Sequence, residues 1–384
     1  MTIGAADDIH EWSGLNASIR QALVNQGCVV HKVDRLGTAY PISERLKRRL
    51  YPSVLGRVYA PERNVGVARR WADQASRRIE KIEGLDAIVS TGCLPIAYLS
   101  ARVSKAMWAD ATFHALRGAY PEHTNYARAS IAGGDRIERA ALNSVSLACF
   151  ASAWAADDAT SFYGAPAETV KVVPFGANDR SPFATEDEAA AHVHARDHSV
   201  LRFLFIGVDW ERKGGPIAMA TVRRLNAIGI PSHLTVIGCS PAIASGDRDF
   251  ATSLGFLSKK VPADAERIHA ALRQSHFLLL PTTAECFGLV FAEASAFALP
   301  SIAQAVGGVP TAVKDGVTGR LLPPGSGAGA YVDALMPLIH DSEAYRRMSM
   351  AAYHDHATRL NWQVAGRHFV SELAAVVDAR RGAR

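Results

Sequence analysis

Two carboxylates, Glu285 and Glu293, stand eight residues apart in the segment Glu285-Cys-Phe-Gly-Leu-Val-Phe-Ala-Glu293. Gly288 and the apolar residues after it mark a helix start, so Glu285 belongs to the preceding loop and Glu293 to the helix itself. That places one carboxylate at the mouth of an α/β crevice and the second within reach of the same ligand. The amides of Cys286, Phe287 and Gly288 lie between them at a helix N-terminus, a natural place for phosphate. Glu293 is flanked by apolar residues in a helix too hydrophobic for a surface, and a carboxylate there needs a partner or a ligand.

A second chemistry-bearing loop is Gly207-Val-Asp-Trp-Glu-Arg-Lys-Gly-Gly215, which follows the apolar run Leu201–Ile206 and leads into a helix at Pro216. Arg212 supplies a planar fork and Lys213 a point charge, a pair matched to two neighbouring phosphates. Its glycines allow close backbone approach. A third piece, Ala305-Val-Gly-Gly-Val-Pro310, again follows a strand pattern; Gly307 and Gly308 suit either a tight turn or a loop whose peptide groups touch a ligand.

The elements that must position these loops read as alternating strands and helices. Apolar runs at Cys28–Val33, Asp86–Ser90, Ala106–Ala109, Ser146–Ala151 and Val170–Val173 fit strands of a first parallel sheet. Runs at Leu201–Ile206, His233–Ile237, Phe277–Leu280 and Pro300–Ala303 fit a second. Helical patterns lie between them and continue in the tail through Ser342–Arg359 and Trp362–Arg380. Alternation of this kind implies parallel sheets covered by helices. At 384 residues two domains are expected. We read residues 1–180 as the first, 181–199 as an acidic, alanine-rich linker, 200–361 as the second and 362–384 as a closing helix.

Composition narrows the class. A hydrophobic content of 48% and a charged content of 21% are those of a globular protein. No apolar run reaches the roughly 18–20 residues of a spanning helix. The opening Met1-Thr-Ile-Gly-Ala-Ala-Asp-Asp has neither basic nor apolar signal-peptide regions, and the five cysteines are scattered without metal spacing. Both features lead us to expect a cytoplasmic protein with reduced thiols. Net charge is +5, but residues 44–83 carry eleven Lys/Arg against five acids. This basic stretch is a solvated helical face or an attraction to anionic headgroups or a pyrophosphate-bearing acceptor. No aromatic interleaving or binding motif points to nucleic acid.

These segments together resemble the retaining family 4 glycosyltransferases, with their GT-B fold. The resemblance rests on Trp210-Glu-Arg-Lys-Gly214, Glu285-Cys-Phe-Gly288 with Glu293, Gly307-Gly308 and Asp315-Gly-x-x-Gly319, in family order and spacing. Trp12-Ser-Gly14, Asp110-Ala-Thr-Phe113 and Val173-Pro-Phe-Gly-Ala-Asn178 extend it more loosely over the first half. It implies an α/β architecture of two Rossmann-like βαβ domains facing across a cleft, with the helix from Trp362 crossing back onto the first domain. The second domain would bind a nucleoside-diphosphate sugar. Arg212 and Lys213 would neutralise the diphosphate, Glu293 would hold the ribose hydroxyls and Glu285 those of the donor sugar. Cys286, Phe287 and Gly288 would add their amides, and Gly307 and Gly308 would line the site. In the first domain the Ser13-Gly14 loop would approach the diphosphate, and Asp110 falls where the family often carries a His or Asp beside donor sugar and acceptor.

The resemblance further implies a metal-independent hexosyltransferase with no cofactor beyond its donor, acting on a glycan, lipid-linked or small-molecule acceptor. Residues 44–83 would then make a peripheral contact at the inner face of a membrane. Cys286 stands where the family commonly has Gly or Ser, and Thr311 replaces an acid frequent after Gly-Gly-x-Pro. Asp247-Arg-Asp249 matches the D-x-D pattern of metal-using transferases, but lies in a polar loop. Two other readings stay open at this point: a non-catalytic nucleotide-sugar-binding or scaffold protein, and a sugar-nucleotide epimerase on a related fold.

Overall fold

The structure, a computed structural model, describes residues 1–8, 11–37, 40–120 and 123–382. The chain divides into two compact units, Met1–Pro174 with Trp362–Arg384, and Phe175–Asn361.

The first unit runs α1 (Leu15–Asn25), α2 (Ile42–Leu55), α3 (Val65–Ile79), β1 (Ala87–Ser90), β2 (Ser104–Ala109), α4 (Phe113–Ala119), α5 (Arg128–Ser144), β3 (Leu147–Phe150), α6 (Ala153–Ser161) and β4 (Val170–Val172). All its strands pair in parallel, in the order β1-β2-β3-β4. Trp71, Ile96, Met107, Phe150 and Tyr163 belong to its core, as expected where helices cover a sheet. The expected strand at Cys28–Val33 does not form. Its neighbour Met1–Gly4 meets this part of the chain through Thr2 N to Val33 O (3.1 Å), and through Leu36 N to Ile3 O and Arg35 N to Gly4 O just beyond. These few bonds leave Cys28–Val33 extended, with Val29 exposed.

The second unit continues with α7 (Glu186–His194), β5 (Leu201–Ile206), α8 (Gly215–Ala227), β6 (Ser232–Ile237), β7 (Ala251–Ser253), α9 (Pro262–Gln274), β8 (Phe277–Leu280), α10 (Leu289–Ala296), β9 (Ser301–Gln304), α11 (Val309–Ala312), β10 (Gly319–Leu322), α12 (Ala328–His340) and α13 (Ser342–Thr358). Its sheet is parallel, in the order β10-β9-β8-β5-β6-β7. Strand β5 therefore has β6 on one side and β8 on the other, and chain progression reverses there. The loops leaving β5 and β8 consequently emerge side by side, the place where open α/β sheets bind ligands. Strands β5 and β8 are almost wholly buried, which is why both read as unbroken apolar runs.

The stretch expected as a linker folds into α7 and packs on α13 within the second unit. Thr185 caps α7 by accepting from Glu188 N (3.2 Å), Glu188 reaches back to Ala184 N (2.8 Å), and Ala189 and Val193 bury the inner face. These two side-chain caps, close to a capping box but with Glu188 on the amide before the N-cap, start a helix in an otherwise polar segment.

The closing helix α14 (Trp362–Gly382) belongs to the first unit. There Phe369 stacks on the buried Trp108 at 4.6 Å, and Trp362 meets the same indole edge-on at 5.8 Å. The Trp108 indole N–H is satisfied by Val173 O (2.9 Å).

Candidate functional site

At the β5–β8 reversal two loops are sewn together by backbone bonds. Thr283 donates to the Arg212 carbonyl through its amide (2.8 Å) and its hydroxyl (3.0 Å). The Arg212 guanidinium donates through Nη1 to Ala284 O (2.9 Å), while its amide is held by Asp209 Oδ1 (3.0 Å). Gly214 turns with φ +77, and a Cβ there would collide with the Pro281 carbonyl, so the two loops meet at their backbones. The Arg212-Lys213 pair is thereby fixed against the segment that carries Glu285.

Lys213 forms an ion pair with Glu285; the Glu285 side chain is buried and that of Lys213 is 13% exposed. Burial first, and then the positive charge of Arg212, pushes the Lys213 ammonium down to about 7; Cys286 and Asp209 oppose this. The ion pair with Glu285 also favours the charged amine. Cys286 is buried beside them, and Phe287 is a core side chain, edge-on to Phe175 at 5.8 Å. Gly288 opens α10 in the left-handed region without a side-chain cap. Phe291 N donates to Gly288 O (3.0 Å), and first-turn amides without a side-chain cap can meet an anion.

Gly307 and Gly308 pack against Glu285 from the other side. Gly308 N donates to Glu285 O (3.0 Å), and Gly307, at φ +51, leaves no room for a Cβ beneath the same carbonyl. This contact by itself explains why glycine stands at 307. The sequence had left open a tight turn or a ligand-touching loop; the structure adds that the loop fixes Glu285.

Glu293 is 7% exposed and does have a partner, though one the sequence reading missed. Lys259, in the loop before α9, donates to Glu293 Oε1 (2.6 Å) and to Asp179 Oδ2 (2.6 Å). His269 on α9 adds a 3.3 Å contact to the other Asp179 oxygen. Burial pushes the Glu293 carboxyl above its ordinary value; Lys259 pulls the other way, and Asp179 adds to the rise. For Lys259, burial disfavours the charge, but the two carboxylates outweigh it and hold the ammonium above the usual lysine range. No local signal could have paired these residues, which are 34 and 80 positions apart.

The expected residues of the first unit form a separate constellation. Trp12 Nε1 donates to Asp110 Oδ2 (2.8 Å) across 98 residues of sequence. Trp12 (φ 50), Ser13 (φ 54) and Gly14 (φ 77) are three successive left-handed residues ahead of α1. Only glycine adopts that conformation without cost; each of the other two stores about 1–2 kcal/mol, and such strain clusters at functional sites. Loss of hydration raises the Asp110 carboxyl to about 6, against the Trp12 N–H and the amides of Asp110 and Ala111. Nearby in sequence and also unanticipated, His114 Nδ1 lies 2.6 Å from Asp158 and stacks on Phe162.

The structure thus gathers Arg212, Lys213, Glu285, Cys286, Gly288, Gly307 and Gly308 around one sheet reversal, and sets Glu293 on the helix that follows. Asp247 of the D-x-D match is occupied by the Arg223 fork at 2.9 and 2.6 Å. Chemically, partly buried cations beside uncapped amides can hold a diphosphate, and buried carboxylates can accept from a polyol.

Residues 257–355 match the family model described as Glycosyl transferases group 1. A D-inositol 3-phosphate glycosyltransferase of Nocardia farcinica is 30% identical over 235 residues, 58% of this chain and 51% of that protein. The chain spans about half the length of the curated relatives it matches. Among solved structures, sucrose-phosphate synthase from Thermosynechococcus elongatus superposes with a TM-score of 0.65 at 17% identity, over 95% of this chain and 94% of that one. Anabaena Alr3699/HepE, solved in complex with UDP-glucose, gives 0.55 at 16% identity, over 80% and 82%. The resemblance to group 1 glycosyltransferases and the two-domain, parallel-sheet GT-B architecture are borne out. The scaffold and epimerase readings gain no support from these matches.

Proposed function

We propose, from the premise that residues 257–355 carry a group 1 glycosyltransferase segment, that this chain transfers a hexosyl group from a nucleoside-diphosphate sugar to a hydroxyl acceptor, with retention. The carrying observation is the Arg212-Lys213 loop bound to the Glu285 loop at the β5–β8 reversal. Breaking the sugar–phosphate bond places positive charge on the anomeric carbon and negative charge on the departing diphosphate. Arg212 and Lys213 stabilise that diphosphate as fixed cations and supply what a metal would otherwise provide. Removing one such preorganised contact commonly costs on the order of 10²–10³ in rate. Lys213 is aimed by its pairing with Glu285 before the donor arrives, and the incoming diphosphate, a stronger anion at the same place, favours its charged form; Glu285 then holds hydroxyls of the donor sugar. Glu293 accepts from the ribose hydroxyls. The acceptor attacks the face the diphosphate leaves, and the leaving phosphate takes its proton.

HepE binds UDP-glucose by its own description, which supports a nucleotide-sugar donor here. For the acceptor, our reading favours an envelope or lipid-linked glycan, because residues 44–83 would bring the enzyme to an anionic surface at the inner face of a membrane. The inositol 3-phosphate relative points instead to a small phosphorylated polyol as the competing class. The test is a screen of nucleotide sugars for thermal stabilisation, followed by transfer assays with the best donor. A true donor at a hundred times its Kd stabilises by about 2.7 kcal/mol. Lys213→Ala and Glu293→Ala should fold and lose transfer; full activity in both would remove the site from the mechanism.

A further inference from the structure

We propose that α2 is a docking helix that lies in the headgroup layer of an anionic bilayer. The inference sharpens the surface attraction just ascribed to residues 44–83, and rests on it, but not on the donor chemistry. In α2 the usual burial pattern is inverted. Its one buried residue is the charged Glu44. Its apolar residues Ile42 (77% exposed), Leu46, Leu50 and Val54 (72%) all face outward. Spaced four apart, they advance only about 40° per step and form one continuous stripe.

The opposite face holds the helix to the first unit. Glu44 accepts from the Tyr59 hydroxyl and from Lys47 Nζ (2.8 Å), and Tyr51 lies 4.9 Å from the Tyr59 ring. Helix α2 is thus tethered through Glu44 and Tyr51 to Tyr59, and its apolar stripe is left uncovered. Arg45 and Arg49 run along one border of the stripe and Lys47 along the other. Arg45, Arg48 and Arg49 make no ion pair with any described residue. Long cations beside an exposed apolar stripe can keep their heads in the phosphate layer while their stems cover hydrocarbon, which is the make-up of an in-plane interfacial helix. Helix α3 supplies the contrast within the same basic stretch. Its Val67, Ala68, Trp71 and Ala75 fill the core, and only its charged face is exposed. Charge alone is shared by both helices; charge together with an uncovered apolar stripe belongs to α2. The cations choose the occupant: an anionic lipid surface offers both hydrocarbon and negative charge, and each Lys/Arg near it adds measurably to binding.

Co-sedimentation of the full chain with phosphatidylcholine vesicles, with and without phosphatidylglycerol, tests this in the absence of any sugar donor. The expected result is binding to the anionic vesicles, weakened by salt. Arg45→Gln with Arg49→Gln should lower the partition coefficient about 30-fold. Leu46→Gln with Leu50→Gln should abolish binding, whereas Arg70→Gln with Arg77→Gln on α3 should leave most of it. Circular dichroism establishes that each variant folds. The proposal is overturned by equal binding to both vesicle types, by no binding to the anionic ones, or by binding that both α2 pairs leave unchanged. It is also overturned if light scattering finds a dimer that Leu46→Gln with Leu50→Gln dissociates, since the stripe would then be an interface between copies. None of these outcomes bears on whether a nucleotide sugar binds the second unit.

Discussion

Replacing Lys259 by alanine removes the one ammonium that bridges Glu293 and Asp179, each at 2.6 Å. Taking one partner from a fully buried ion pair costs about 3–5 kcal/mol. The Lys259 side chain is 37% exposed, so water screens part of the pairing and about 2–3 kcal/mol is the better expectation. At roughly 2–4 °C per kcal/mol for a unit of this size, the melting temperature should fall by about 4–12 °C near neutral pH. The pH dependence carries the sign. Glu293 already sits above its ordinary value because of burial, and losing Lys259 raises it further. A carboxyl raised in the folded state binds more protons there than when unfolded, so stability falls as pH rises through the window above the ordinary glutamate value. The Lys259→Ala protein should therefore melt closest to wild type at acid pH and diverge as pH increases. Donor affinity should fall about 10- to 150-fold, the worth of one charge-assisted hydrogen bond of about 1.5–3 kcal/mol. Differential scanning fluorimetry across pH and calorimetric titration with the donor measure both effects. Adding Glu293→Gln to Lys259→Ala removes the buried charge and should recover much of the lost stability. Unchanged melting at every pH, with no recovery in the double variant, would refute the reasoning.

Gly307→Ala must place a methyl against the Glu285 carbonyl at φ +51. It should lose more than the roughly 1–2 kcal/mol of the left-handed backbone alone. Gly316→Ala, at φ +73 with open space around it, should lose only that amount; urea unfolding of the two compares them. Asp110→Asn removes a carboxyl that burial raises to about 6 while leaving the Trp12 N–H an oxygen acceptor. The ionised form is disfavoured in the folded state, so wild type loses stability as pH rises from about 4 to 6. The variant should accordingly melt higher than wild type at pH 8, by at most about 3 kcal/mol, and match it at pH 4.

Much of the second unit was legible because buried parallel strands announce themselves. Phe277–Leu280 and Leu201–Ile206 are unbroken apolar runs, and each is followed by a glycine-bearing polar loop that can only be a strand exit. The segment from Thr185 to Glu188 was equally legible in principle: a threonine three residues before a glutamate starts a helix, and the acidic composition around it masked the signal. Cys28–Val33 erred in the opposite direction. Its apolar run satisfies a strand pattern, but a strand exists only through a ladder partner, and Met1–Gly4 provides few bonds.

By itself, the sequence determined which residue types stand in the strand-to-helix loops, and hence that cations, carboxylates and glycines gather at the exits of β5, β8 and β9. Local periodicity and backbone preference are properties of neighbouring residues, so they survive in a one-dimensional reading. Only the tertiary structure decided that Gly307 supports the Glu285 backbone, that Lys259 holds Glu293 and Asp179 together, and that α2 turns its apolar stripe outward. Each depends on packing between segments tens of residues apart, where sheet order and helix docking, not spacing along the chain, set which side chains meet.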